Sequence, residues 1–178
     1  MKPTTRLRVP KAPAARAVAA PAPAAPAAQA HARLELDRFL PYRLSVLSNR
    51  VSQTIAGAYA RRFGIGVTEW RVIAVLGRYP ALSANQVAAR TAMDKVAVSR
   101  AVAGLLEAGL LRRRAHGADR RRSVLELSAR GYRVYDEVAP LALAYERRLL
   151  AGLDPADRAA LHHLLDKLDA SERHSRET

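Results

Sequence analysis

The sequence predicts a mainly α-helical fold with one small β-hairpin, and three observations lead to this prediction. Apolar residues recur at steps of three and four along most of residues 36–170, which is the period of amphipathic helices. The period becomes that of short strands only between about residues 110 and 127. The 178 residues, 49% of them hydrophobic, are enough for one domain with its own core.

The first 33 residues differ from the rest in composition. They hold six of the ten prolines, six Lys or Arg residues and no acidic residue, and most of the remainder is alanine. Prolines this frequent prevent a long helix, so we expect residues 1–33 to be a disordered, basic, Ala/Pro-rich arm. This arm is either a solvated tail or a source of non-specific phosphate contacts. The folded domain is expected over residues 34–170, followed by a flexible C-terminus at 171–178.

Two helices are predicted before residue 80. The first, at about residues 36–63, has Pro41 in its first turn and ends at Gly64 and Gly66. The second is expected to be capped by Thr68 and to close at Pro80. The first helix carries one apolar stripe: Leu36, Leu40, Leu44, Leu47, Val51 and Ile55.

The next segment has the spacing of a helix-turn-helix. Ser83 and Gln86 form a capping-box pattern, and the helix they begin should run to about Thr91. Asp94 should cap another helix that ends at Gly109. Two short helices separated by a few residues are typical of this motif.

A β-hairpin and two long helices complete the prediction. The strands are expected at Leu110–Arg114 and Arg120–Leu127, joined by a turn at 116–119. The helices are expected at about 129–150, with a bend at Pro140, and at 155–170, where Asp154 and Pro155 mark the start.

Charge and its placement point to duplex DNA. The formal net charge is +14 and the pI is about 11.2, which favours an anionic partner. In the helix after Asp94, Val98, Val102, Leu105 and Leu106 should be buried, which turns a lysine, a hydroxyl, an arginine and small side chains outward. This face is either an ordinary solvated surface or a DNA-reading one. Its residues are Lys95, Val96, Ser99, Arg100 and Ala103, and Ser83 and Gln86 on the preceding helix are further candidates.

Arginine in the hairpin region strengthens the DNA interpretation. Eight arginines and two acidic residues lie between 110 and 133, so this segment carries a net +6. Charge on an edge strand also protects it from aggregation, but that device normally uses lysine. An arginine at a hairpin tip is well placed for the minor groove. The predicted tip contacts are Asp119, Arg120, Arg121 and Arg122.

The motifs resemble those of MarR-type (multiple antibiotic resistance) regulators. The matching runs are 94–100 (DKVAVSR) and 105–111 (LLEAGLL), then Asp119-Arg120-Arg121, residues 124–128 (VLELS) and Gly131. The resemblance covers about 36–170 and implies a winged helix-turn-helix homodimer with interlocked terminal helices, with a DNA-reading core at about 66–128 and dimerisation helices at about 36–63 and 129–170. It implies a repressor released by a small ligand, with Ser99, Arg100 and Arg121 as DNA contacts and Asp119 orienting Arg121.

A dimer also follows from the apolar pattern. The stripe of the first helix, together with Leu161, Leu164, Leu165 and Leu168, exceeds what one small DNA-reading core could cover. We therefore expect a homodimer on a pseudo-palindromic operator.

The resemblance implies an effector pocket between the dimer helices and the DNA-reading core. Its candidate residues are Tyr42, Arg43, Asn49 and Trp70. Arg43 could pair with a carboxylate or with a charge of the other subunit, and Trp70 could stack on a ring or belong to the core. The run 39–45 (FLPYRLS) resembles regulators of aromatic and nicotinate-type acid breakdown, which suggests a small aromatic carboxylate.

Several other functions are not expected. The chain has no cysteine, which excludes disulfides and thiolate chemistry. His162 and Asp166 lie one helical turn apart but lack a third metal ligand, and no catalytic constellation, cofactor site or membrane span is expected. The alternative function is a nucleoid-type architectural protein that binds DNA without sequence preference. Either function predicts a bacterial cytoplasmic, nucleoid-associated protein.

Overall fold

The computed structural model describes residues 33–116 and 119–177, and their side chains except at 115, 116, 119–122, 176 and 177. The arm predicted for residues 1–33 therefore lies outside the described residues apart from Arg33. The elements are α1 (Leu40–Phe63), α2 (Val67–Arg78), α3 (Ala84–Thr91), α4 (Lys95–Glu107), β1 (Leu111–His116), β2 (Asp119–Leu127), α5 (Ala129–Leu149) and α6 (Pro155–Glu177). The predicted fold class, mainly helical with one hairpin, is confirmed.

The first helix has the predicted ends, and the second begins earlier than predicted. Pro41 lies in the first turn of α1, and Gly64 ends it with φ 66° and an N–H bond to the Ala60 carbonyl at 2.9 Å. The prediction that Thr68 caps α2 is wrong, because α2 starts at Val67 with Gly66 as its N-cap. The Glu69 carboxylate accepts the Gly66 N–H at 3.1 Å and so supplies the stabilisation expected of Thr68.

The helix-turn-helix forms through the caps that the sequence predicts. Ser83 Oγ accepts the Gln86 N–H at 3.3 Å, and Gln86 Oε1 accepts the Ser83 N–H at 2.8 Å. Asp94 Oδ1 accepts the N–H groups of Val96 and Ala97 at 2.9 and 3.0 Å. Between the two helices Ala92 adopts a left-handed conformation with φ 50°.

The hairpin is longer than predicted and joins the core through a third backbone segment. β1 and β2 pair antiparallel with Leu111 opposite Leu127 and His116 opposite Asp119. The Leu125 N–H donates to the Leu82 carbonyl at 2.7 Å, which ties the hairpin to the loop before α3. This third pairing fixes the hairpin at one position beside α3 and α4.

The core lies between α2, α3, α4, the hairpin and the first half of α5. Val98, Val102 and Leu105 of α4 are buried as predicted, whereas Leu106 is only half-buried. Pro140 lies inside α5.

The last helix, α6, is exposed along its whole described length. It starts with the predicted cap, since Asp154 Oδ1 accepts the Asp157 N–H at 2.8 Å. It continues through residues 171–177, which were expected to form a flexible C-terminus, because that segment contains neither Gly nor Pro to stop it. Within the described ranges, no helix is long and apolar enough to cross a membrane.

Candidate DNA-binding site

The second helix of the helix-turn-helix, α4, presents the face that the sequence analysis predicted. Its inner side is buried against α2 and α3, and Asp94 fixes its first turn. All five predicted outer-face residues are exposed: Lys95, Val96, Ser99, Arg100 and Ala103. Val96 is 57% exposed, a high value for a side chain that nothing in this chain covers. The helix therefore offers a continuous outer surface of small, hydroxyl and cationic groups.

Ser83 and Gln86 at the start of α3 are engaged with each other. Ser83 is half-buried and Gln86 exposed, and the Ser83 hydroxyl also donates to Gln86 Oε1 at 3.0 Å. The structure gives both residues a capping role, and their contact with DNA remains a prediction.

At the base of the hairpin, two of the eight arginines are neutralised within the chain. Glu126 is 9% exposed and receives Arg112 at 3.0 Å and Arg114 at 2.8 Å. The pairing of Arg112 with Glu126 across the strands brings these charges together. The excess of arginine in the hairpin is therefore partly structural, which the sequence analysis did not anticipate.

A third arginine also has a structural partner. Arg130 Nη1 donates to the carbonyl of Ala108, the C-cap residue of α4, at 2.9 Å. By contrast, Arg113 is exposed on the other face of β1, opposite Leu125, and has no acidic partner among the described residues. Arg113 is thus the base-of-hairpin arginine best placed to contact a phosphate.

The predicted tip contacts, Asp119, Arg120, Arg121 and Arg122, have a described backbone in β2, but their side chains lie outside the described set. The pairing of His116 with Asp119 places these residues at the end of the hairpin farthest from its base, as predicted.

The predicted effector residues do not converge within one chain. Tyr42 and Arg43 line a shallow indentation on α1 together with Arg50, and Asn49 is exposed on the same helix. Trp70 instead stacks between Tyr59 at 5.6 Å and Tyr135 at 6.2 Å, measured between ring centroids. Tyr59 lies 17 residues beyond Tyr42 on α1, about 25 Å along the helix axis. A single pocket holding all four residues is therefore not present in this chain, and Trp70 takes the core role that was the alternative.

The aromatic stack includes one strongly perturbed group. Burial, assisted by the nearby Glu69 carboxylate and opposed by Arg71, raises the pKa of Tyr59 to about 12. Arg71 also donates to Ser52 Oγ at 3.0 Å, which links α2 to α1. These contacts mark the stack as part of the structural connection between α1, α2 and α5.

The geometry defines a winged helix-turn-helix protein: α3 and α4 form the helix-turn-helix, and β1 and β2 form the wing beside it. The MarR family model matches residues 63–122, which hold α2, both helices of the motif and most of the hairpin. A MarR/EmrR-family transcriptional regulator from Acinetobacter sp. ADP1 is 30% identical, with a TM-score of 0.73, over 79% of this chain and 99% of that one. The chain belongs to the MarR family and is a DNA-binding transcriptional regulator.

Two further relatives are similar to this chain. The HTH-type transcriptional regulator BilQ of Clostridium symbiosum is 28% identical over 105 residues, which are 59% of this chain and 73% of BilQ. BpsR of Bordetella bronchiseptica, whose DNA binding is regulated by 6-hydroxynicotinic acid, is 25% identical with a TM-score of 0.58. The compared region covers 71% of this chain and 98% of BpsR.

Proposed function

We propose that this protein is a homodimeric repressor that binds a pseudo-palindromic operator and is released by a small organic acid. The observation that carries the DNA part is the fully exposed outer face of α4 beside the wing. In such an arrangement the helix reads the major groove while Arg121 at the wing tip enters the adjacent minor groove. Ser99 and Arg100 are the proposed base or phosphate contacts of the helix, with Asp119 orienting Arg121.

The homodimer is proposed because one chain leaves a large apolar surface uncovered. On α6, Leu164 is 56% exposed and Leu165 44%, and on α1, Leu47 is 54% exposed. Apolar area on this scale marks an interaction surface. Interlocking the terminal helices of two chains would cover it and place the two α4 helices about one DNA turn apart, roughly 34–36 Å.

The effector is proposed to be an aromatic or N-heteroaromatic carboxylate. The regulation of BpsR by 6-hydroxynicotinic acid supports this class. So does the basic character of the chain, which offers exposed guanidinium groups, among them Arg43 on α1, to a carboxylate. Function in the bacterial cytoplasm at the nucleoid is part of the same proposal.

A DNA titration tests the proposal. The duplex upstream of the protein's own gene is compared with a scrambled duplex at two salt concentrations, and the mass of the free protein is measured in solution. We expect a dimer that prefers the natural duplex at physiological salt, with half-sites one turn apart in a footprint. Equal binding to both duplexes, and to every member of a random-sequence selection, would instead favour the architectural protein.

The N-terminal arm is assigned a separate, non-specific contribution to binding. Its Lys and Arg residues would release counterions from the phosphates, so removing residues 1–33 should reduce the slope of log Kd against log salt. An unchanged slope would show that the arm makes no phosphate contacts.

A further inference from the structure

A cavity of about 380 Å³ opens where the end of α1 and the start of α2 meet α4 and α5. Its floor consists of buried aliphatic side chains: Ile65, Leu105, Leu110 and Val134. The volume falls in the range of small-molecule sites, about 300–1,000 Å³. The cavity lies near the C-terminal end of α1, whereas Tyr42 and Arg43 lie near its N-terminal end.

The rim of this cavity carries a surplus of positive charge. Of its two carboxylates, Glu137 is ion-paired with Arg62, and Glu69 accepts the Gly66 N–H. Arg133 also stands at the rim, is exposed, and has no acidic partner among the described residues. Arg130, beside it, uses one N–H on a carbonyl and retains its full charge. The cavity therefore joins an apolar floor to guanidinium groups that are available to an anion.

We propose that this cavity binds a small organic anion with an apolar body, and that the anion is the effector. Arg133 and Arg130 would hold its carboxylate, because a guanidinium presents paired donors that match two carboxylate oxygens. The aliphatic floor would cover its ring. The effector role rests on the proposed repressor function, whereas the binding itself does not.

The position of Arg130 connects this cavity to the DNA-binding helix. Its bond to Ala108 is a tie between α5 and the last residue of α4, directly before Gly109 and the wing. A bound anion competes with the Ala108 carbonyl for the same guanidinium and so weakens this tie. If the anion lowers DNA affinity in this way, DNA must lower the affinity for the anion by the same factor.

Calorimetry of the full-length protein with benzoate and with nicotinate tests the site. Arg133→Met removes the rim charge, and Gly104→Met projects a side chain from α4 into the cavity. A Cβ at Gly104 meets nothing within 4 Å, and replacing a helical glycine favours the helix, so this variant should fold. We expect each variant to weaken binding of the acid by about tenfold or more, since each removes a charge-assisted contact or fills the site. The matched control is Arg61→Met, a neighbouring exposed arginine outside the cavity, which should bind as the wild type does.

Three outcomes would overturn the proposal in different ways. Loss of binding in Arg43→Met, with Arg133→Met and Gly104→Met unaffected, would move the site to the other end of α1. No binding of either acid by the wild type would remove this ligand class. Binding that leaves the affinity for operator DNA unchanged would remove the effector role. The repressor function is tested separately, by the DNA titration without acid, so the two failures are distinguishable.

Discussion

Gly131, in the first turn of α5, lies against the backbone carbonyl of Leu110 at the start of the wing. A Cβ built on Gly131 would stand 2.1 Å from the Leu110 oxygen. The same junction is tied by Ser128, whose hydroxyl donates to the Gly109 carbonyl at 2.7 Å and accepts the Gly131 N–H at 3.0 Å. This contact explains why the family's pattern has Ser and Gly at these two positions: α4, the wing and α5 meet there through backbone atoms.

Gly131→Ala should therefore destabilise the protein. The obstructing atom is a backbone oxygen, which cannot turn away as a side chain would, so we expect a loss of about 3 kcal/mol in the free energy of unfolding. Chemical denaturation followed by circular dichroism measures this loss. The control is Gly57→Ala in α1, where an added Cβ meets nothing within 4 Å and should be neutral or stabilising. Equal stability of the two variants would contradict the close approach.

Glu126 should support the wing by holding two arginines. In Glu126→Gln the carboxylate that receives Arg112 and Arg114 is lost, and two like charges remain on one face of the hairpin. We expect the free energy of unfolding to fall by about 1–3 kcal/mol. We also expect binding to non-operator DNA to become more salt-dependent, because both guanidinium groups become available to phosphates.

The control for Glu126→Gln is Asp136→Asn, which removes one exposed negative charge from α5. Both variants change the net charge equally. A matching increase in salt dependence in the control would attribute the effect to net charge and not to the released arginines.

Ala92, in the turn of the helix-turn-helix, holds a left-handed conformation at φ 50° that costs an L-residue about 1–2 kcal/mol. Ala92→Gly removes this cost but adds backbone entropy to the unfolded state, so we expect a net gain of roughly 1 kcal/mol or less. Ala89→Gly, an exposed position inside α3, should instead lose about 1 kcal/mol. Thermal melting of both variants checks the opposite signs.

The buried Tyr59 should make the protein sensitive to alkali. Its pKa of about 12 in the folded state exceeds the ordinary value of 10.0, so the folded protein retains this proton more tightly than the unfolded chain. The contribution to stability is complete below pH 10 and is lost as the pH rises towards 12. Tyr59→Phe should show a shallower decline in the free energy of unfolding across this range. Parallel declines for wild type and variant would contradict the role of Tyr59.

The parts of the fold that were predictable are those set by local signals. Ser83 with Gln86, Asp94, and Asp154 with Pro155 each start a helix through contacts within a few residues, and each was correct. The cap of α2 was misassigned because Thr68 is a good cap in isolation, while Glu69 reaches back to Gly66 and starts the helix earlier. Local chemistry was available there too, but two local solutions competed.

The parts that were not predictable depend on contacts between distant segments. The pairing of Arg112 with Glu126 follows from the strand register, and the tie between Arg130 and Ala108 follows from how α5 meets α4. The neighbours of Trp70 come from α1 and α5, 11 and 65 residues away in the chain. The cavity at Arg133 combines residues from four helices, so no sequence motif marks it.

The DNA contacts give the last prediction. Arg100 is exposed on the outer face of α4, and its side chain has no partner among the described residues, so Arg100→Ala should leave the fold intact. If Arg100 reads a base, the variant should lose about 1–3 kcal/mol of binding free energy at one operator position and discriminate less there. Arg121→Ala at the wing tip should weaken binding several-fold, with the largest effect on operators that have a narrow, A·T-rich minor groove. Titration of operators substituted base by base separates these two signatures, and melting temperatures equal to that of the wild type confirm that folding is unchanged. Uniform weakening by both variants across all operators would mean that both arginines contact only phosphates, which would leave the reading of sequence to Ser99, Val96 and the shape of the DNA.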